Sequence, residues 1–210
     1  MAHISKKMGI IKAMERWNDL RHIHEKWFAQ CRCKLKETAT QAVPGDGSPD
    51  AEIVFVGEAP GKTEDLQGKP FIGSAGKFLS EMLASIHMIR EDIYITNIVK
   101  YRPPDNRDPL PEEKDACREW LYEELNFIKP KLVVFLGRHA MNDFFPELKI
   151  GEAHGKLIHK KFSGIETEYF LPLYHPAAAL YNGGLRSELK KDFKKIPLVL
   201  RKVEKNTRHY

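Results

Sequence analysis

"EIVFVGEAPG", Glu52 to Gly61, sets four apolar residues in an unbroken run ahead of a turn built from small residues. A run this short, rich in β-branched and aromatic side chains and closed by Gly57, reads as a strand. The absence of polar alternation means that both faces are covered, which is the signature of a parallel strand lying between helices. Two further runs of the same kind follow, Ile93 to Thr96 and Leu132 to Leu136, and helical spacing occupies residues 75–87 and 112–128 between and before them. Strands alternating with helices predict an α/β layer fold. "KLIHKKF" (156–162) and "TEYFLPLYH" (167–175) read as a further hairpin or sheet strand, and a last helix runs from Leu185 to about Lys202, basic on one side.

Upstream, residues 8–29 carry apolar side chains at Ile11, Met14, Trp17, Leu20, Ile23 and Trp27, the pattern of an amphipathic helix. A polar, turn-rich connection over 30–50 then leads to the α/β core at 51–200, and the whole of 1–210 is expected to be one domain. With 210 residues and 42% hydrophobic content, the chain is long enough to bury a full core. Lys and Arg outnumber Asp and Glu 34 to 29, a net charge of +5 that favours an anionic partner. Three cysteines make an odd count, and no stretch approaches the ~18 apolar residues of a membrane span. A soluble, cytoplasmic, nucleoid-associated monomer with no membrane partner is the expectation.

Ligands of open α/β sheets bind beyond the carboxyl ends of the parallel strands. The loops leaving the expected strands are "GEAPGKTEDLQGKPFIGSAG" (57–76), "NIVKYRPPDNR" (97–107), "GRHA" (137–140) and "HPAAAL" (175–180). Gly57, Ala59, Pro60 and Gly61 allow backbone to approach a ligand closely. Lys62-Thr63 sits too near the glycines to form a phosphate-cradling loop of the P-loop kind.

Taken in order, "GEAPG", the Glu64-Asp65 pair, "GKPFIGSAG", "NIVK" and "HPAAAL" resemble the family 4 uracil-DNA glycosylases over about Cys33 to Leu189. The resemblance implies a three-layer α/β/α sandwich around a short, largely parallel four-stranded sheet. It also implies hydrolysis of the N-glycosidic bond of deoxyuridine in single- or double-stranded DNA, leaving an abasic site. The chemistry asks for matching residues: a flipped base needs an aromatic stack and a hydrogen-bonding partner along its edge. Phe71 can supply the stack, although Phe is also a common core residue. Asn97 can donate to uracil O4 and accept from N3–H, although a strand-end Asn is also a common turn residue. Bond cleavage leaves negative charge at O2, and His175 is the donor to stabilise it.

The resemblance further implies that Glu58 positions or activates water, since the neighbouring position is Ala59 rather than an Asp, and that Glu64 shapes the pocket beside C5. It places Ala178, Ala179 and Leu180 as a wedge in the DNA. Lys62, Lys100, Arg102, Arg107 and Arg186 are candidates for phosphate contacts, together with Lys69 and Lys190. The resemblance also implies an iron–sulfur cluster held by four cysteines. Here Cys33 and Cys117 occupy two of those places, Gln30 and Tyr101 occupy the other two, and Cys31 is one residue out of register. Cys31, Cys33 and Cys117 are therefore candidate ligands of an incomplete set, and the expected cofactor is either such a cluster or none. A glycosylase for another deaminated base such as hypoxanthine, and a non-catalytic DNA-binding relative, remain as alternatives.

Overall fold

A computed structural model describes the backbone of residues 2–207 and the side chains of residues 14–206, so the side chain of Ile11 lies outside the described residues. The sheet has six strands in the order β1-β3-β2-β4-β6-β5: β1 (Asp46–Gly47), β2 (Ile53–Gly57), β3 (Tyr94–Asn97), β4 (Leu132–Leu136), β5 (Ile158–His159) and β6 (Tyr169–Leu173). The four central strands are parallel: β2, β3 and β4 as expected from the apolar runs, and β6 beside β4. The four-stranded count is corrected by β1 and β5, two-residue strands that pair antiparallel at the two edges. β1 is too short to leave any periodicity in the sequence, whereas β5 lies within the 156–162 run and pairs with β6 as the hairpin read there.

The central strands send alternate side chains to opposite faces, so each continuous apolar run feeds two cores. Val54 and Val56 of β2 join Val133 and Phe135 of β4 in one cluster, while Ile53 and Phe55 join Leu132, Val134 and Leu136 in the other. The first face is covered by α1 (Ala2–Gln30), α4 (Pro111–Ile128) and α5 (Arg138–Phe144); the second by α3 (Ser74–Ala84), α8 (Gly183–Phe193) and α9 (Ile196–Thr207). Between them in the chain lie α2 (Lys62–Gln67), α6 (Ile150–Ala153) and α7 (Pro176–Tyr181). This is the three-layer sandwich. Among the described residues, no helix is long and apolar enough to cross a membrane.

Some boundaries differ from the sequence reading, each for an identifiable reason. In α1 the packed stripe is Leu20, His24 and Trp27, with the Trp27 ring stacked on Trp120 of α4 at 6.2 Å, whereas Met14 and Trp17 are exposed. Steps of three residues drift around a helix with 3.6 residues per turn, and steps of four and three in alternation do not. The single C-terminal helix is two, α8 and α9, because Pro197 cannot continue a helical ladder but suits the first turn of a new one. The helix expected over 75–87 stops at Ala84, and His87 follows with φ 59°.

The 30–50 connection is tied down by polar contacts that converge from both neighbouring layers. The buried Asp65 carboxylate accepts from Thr40 N at 2.9 Å and from Thr40 Oγ1 at 2.7 Å. Val43 N donates to Lys100 O at 2.7 Å, and Gly45 N donates to Glu124 Oε1 at 3.2 Å.

Candidate active site

The carboxyl ends of β2, β3 and β6 open on a pocket of about 320 Å³ whose lining includes Glu58, Glu64, Phe71, Asn97, Asp108 and His175. Gly57 and Asn97 are register partners on β2 and β3, so the end of each strand faces the other directly. A Cβ on Gly57 would meet Asn97 Oδ1 at 2.5 Å and Phe71 Cζ at 2.5 Å, which is why this strand must end in glycine. Asn97 Oδ1 is buried and has no hydrogen-bond partner among the described residues. An orphaned acceptor costs on the order of 1–3 kcal/mol, so its persistence at a pocket floor points to a donor supplied by a ligand.

Phe71 holds φ 52°, a backbone conformation seldom adopted by a bulky residue. Two neighbours hold it there. Glu64 Oε1 accepts from Ile72 N at 3.0 Å and Gly73 N at 2.7 Å, and Gly76 lets the helix start close against the Phe71 carbonyl. The ring lies 5.7 Å from the His175 ring, tilted by 37°, so the two side chains flank the same space. Glu64 thus lines the pocket while also bracing the turn that presents the aromatic face.

His175 caps α7: its Nδ1 accepts from Ala177 N at 3.1 Å. The proton of the neutral ring is therefore on Nε2, which is left as a donor. Burial, with His139 nearby, lowers its pKa to about 4, so the ring is neutral at physiological pH. Glu58 is the opposite case. Burial raises its pKa to about 7, Asp108 adds to the rise, and Arg138 and Lys114 oppose it. A carboxyl poised there can take a proton from water, and a neutral imidazole N–H can stabilise an oxyanion without giving up its proton.

The structure adds three residues that the sequence reading passed over. His139 and Asp108 stand beside Glu58. Tyr181, at the end of α7, is 93% exposed. The only sequence signal for His139 was its place two residues after a strand-ending glycine; Asp108 sits in a proline-rich loop with no periodicity at all.

Two of the expected DNA contacts, Lys100 and Ala179, are corrected by burial. Lys100 is fully buried: its ammonium donates to Glu124 Oε2 at 2.7 Å, to Thr96 Oγ1 at 2.5 Å and to Asn97 O at 2.9 Å, so it cannot reach a phosphate. Arg107 is exposed, but both arms of its guanidinium are bound to Glu113, at 2.6 and 2.8 Å, which braces the loop against the start of α4. Ala179 is buried in the core beneath α7, because one turn of helix, and not a loop, carries "HPAAAL"; Ala178 is exposed and Leu180 half-buried. Arg102, whose Nε donates to Asn106 Oδ1 at 2.8 Å, is half-buried, and Lys62 is exposed. Arg186 lies over the Phe78 ring at 4.5 Å and 3.5 Å from Glu81, partly exposed.

Cys31, Cys33 and Cys117 are all buried as free thiols, and the Tyr101 ring is buried in the same cluster. Cys117 interacts with both other thiols: that contact lowers Cys31 to about 6 and lowers Cys33 as well, while Cys117 itself is raised. Burial, with the three cysteines around it, pushes the Tyr101 phenol up. Cys31 Sγ and Cys33 Sγ each donate to a backbone carbonyl of α4, of Ala116 and Glu113, at 3.6 Å. Gln30 is exposed, His22 Nδ1 bonds Asn18 O, and His24 faces Tyr94 and Glu124. Three thiols and a protonated phenol do not make the four-thiolate donor set of an iron–sulfur cluster, so the residues present do not fit that group.

Comparison with known proteins agrees with this geometry. Residues 44–197 match the family model described as "Uracil DNA glycosylase superfamily". The chain is similar to a Type-4 uracil-DNA glycosylase of Archaeoglobus fulgidus, 51% identical over 172 residues, covering 79% of this chain and 86% of that one. It is also similar to Type-4 uracil-DNA glycosylases of Sulfurisphaera tokodaii, 46% identical with 85% and 84% covered, and of Thermotoga maritima, 38% identical with 82% and 85% covered. With the matched stretch running from before β2 through α8 and enclosing every strand-end loop of the pocket, the chain belongs to the uracil-DNA glycosylase superfamily.

Proposed function

We propose that this protein excises uracil from DNA by hydrolysing its N-glycosidic bond, in the manner its Type-4 relatives are named for. The observation that carries the reading is the orphaned Asn97 Oδ1 on the floor of a pocket flanked by Phe71. Uracil N3–H is the donor it lacks, the Asn97 amide nitrogen can donate to O4, and the Phe71 face receives the flipped base.

The C1′–N1 bond breaks with its electron pair passing to the uracil ring, where charge collects at O2 and meets the His175 Nε2–H. Water adds to C1′ and gives its proton to ionised Glu58. Around the opening, α7 offers Ala178 and the Tyr181 ring, with Leu180 partly behind, to the space the base vacates. Lys62 and Arg186 supply phosphate contacts, Arg102 a weaker one. The mismatch of the thiol cluster with a four-thiolate set supports a protein that works without an iron–sulfur cluster.

Oligonucleotides carrying uracil, hypoxanthine, xanthine or thymine, single-stranded and paired, test this when incubated with the protein and cleaved at abasic sites. Uracil excision without added metal or nucleotide is the expected result, and Glu58→Gln is expected to remove it. Inertness on uracil, with hypoxanthine released instead, would reassign the substrate; inertness on every base with retained DNA binding would end the enzyme reading.

A further inference from the structure

We infer that His139 is a positioning residue for Glu58, holding its carboxylate toward the pocket through the Nδ1–H edge of the ring. The inference rests on the glycosylase function proposed above and adds a residue to it.

The geometry begins at Gly137, where β4 ends with φ 94°. A Cβ there would meet His175 Cβ at 2.9 Å, so glycine lets the β4 loop and the His175 loop close on each other. That approach brings His139, two residues on, beside Glu58: His139 Nδ1 lies 3.7 Å from Glu58 Oε1 and Nε2 lies 3.4 Å from Asp108 Oδ2. Arg138 Nε donates to His139 Nε2 at 3.0 Å. A guanidinium can only donate, so Nε2 is the acceptor, and the proton of the neutral ring is on Nδ1, facing Glu58. Arg138 also lies 4.0 Å from Asp108, which accounts for a carboxylate beside an unprotonated ring nitrogen. Both His139 and Glu58 are about three-quarters covered, at 28% and 24% exposure, so their interaction is not dissolved by water. At 3.7 Å the contact is longer than a hydrogen bond, as pairs poised for a reaction often are before substrate closes the site.

The charged groups facing this pair act from both sides. Asp108 disfavours the Glu58 carboxylate, Arg138 and Lys114 favour it, and His139 is near enough to His175 to disfavour a second imidazolium there. Burial lowers the His139 pKa, in keeping with a neutral donor. The Nδ1–H dipole then favours the ionised form of Glu58, the form that accepts a proton from water.

Single-turnover excision on a single-stranded uracil oligonucleotide, measured from pH 5 to 9, tests the inference. In the wild type the rate rises with pH as Glu58 ionises. His139→Ala is expected to move that acidic limb upward by about half to one pH unit, the scale of one lost neutral donor. The loss is then several-fold at pH 7 and fades at pH 9. His139→Asn, whose amide reaches the Nδ1 position, is expected to restore much of the profile, and His139→Gln, whose amide reaches the Nε2 position, is not. Thermal unfolding of each variant checks folding; if His139→Ala does not fold, the Asn and Gln pair decides alone. A wild type inert on uracil overturns the functional reading. An active wild type with a rate loss uniform across pH, or with Asn no better than Gln, overturns the role of His139. Loss of wild-type activity on chelation with EDTA would likewise overturn it, since Glu58, Asp108 and His139 would then be acting as metal ligands.

Discussion

At the scale of single residues, the site is a set of side chains whose protonation is decided by what each one touches. His175 is neutral because burial disfavours its cation, and its tautomer is chosen by one backbone N–H, that of Ala177. Glu58 is raised by the same burial that lowers His175, because desolvation always opposes the charged form. His175→Ala is accordingly expected to lower the single-turnover rate by roughly 10² to 10³, the scale of one lost transition-state donor, with little change in DNA affinity. A loss of tenfold or less, measured by rapid quench, would move the oxyanion donor elsewhere.

At the scale of elements, three buried thiols and a tyrosine join two segments of the chain. The end of α1 and the 31–33 segment meet the first half of α4 through thiol-to-carbonyl contacts, and the Tyr101 ring is buried in the same cluster. The proline-rich loop that follows is held by Arg107 on Glu113, whose Oε2 also accepts from Leu110 N at 2.8 Å. Its prolines restrict the unfolded chain and so help an irregular segment stay ordered. Protein purified under anaerobic conditions is expected to carry substoichiometric iron and no visible cluster band. Tyr101→Cys supplies a fourth thiol and is expected to raise the iron content; about four irons per chain in the wild type would show that another side chain completes the ligand set.

At the scale of the whole molecule, one buried network ties α1, β3 and α4 together. Glu124 of α4 accepts from Lys100, Tyr94 and Thr96, and His24 of α1 lies 3.2 Å away. Burial pushes the Glu124 carboxyl up, but Lys100 and His24 override it and hold it at about 2. Its folded value is below the ~4.3 of an unfolded Glu, so its contribution to stability is present above that pH and is lost as pH falls toward 2. Glu124→Gln leaves Lys100 buried without its counter-charge and is expected to cost about 3–5 kcal/mol at pH 7 in urea unfolding. The deficit should narrow below pH 4, and a deficit independent of pH would mean that packing, not charge, holds the layers here.

The residues themselves determined the layer fold. Ile53–Val56 and Leu132–Leu136 are apolar throughout, Ile93–Thr96 breaks the pattern only with the hydroxyls of Tyr94 and Thr96, and a sheet covered on both faces buries such strands. The strand-end loops followed from that, because an α/β sheet presents its ligand site where parallel strands end; within them Glu58, Phe71, Asn97 and His175 were singled out by the resemblance to the family 4 uracil-DNA glycosylases and the demands of a flipped base, and all four line one pocket. Tertiary structure alone decided how charge is used. Lys100 in "NIVK" reads like any basic loop residue, and only the meeting of β3 with α4 turns it inward onto Glu124, 24 positions away. Likewise His139 and Asp108 are 31 positions apart and become neighbours only when two loops close on one pocket. Local patterns record which faces are apolar, whereas the partner of a buried charge is chosen by contacts between distant parts of the chain.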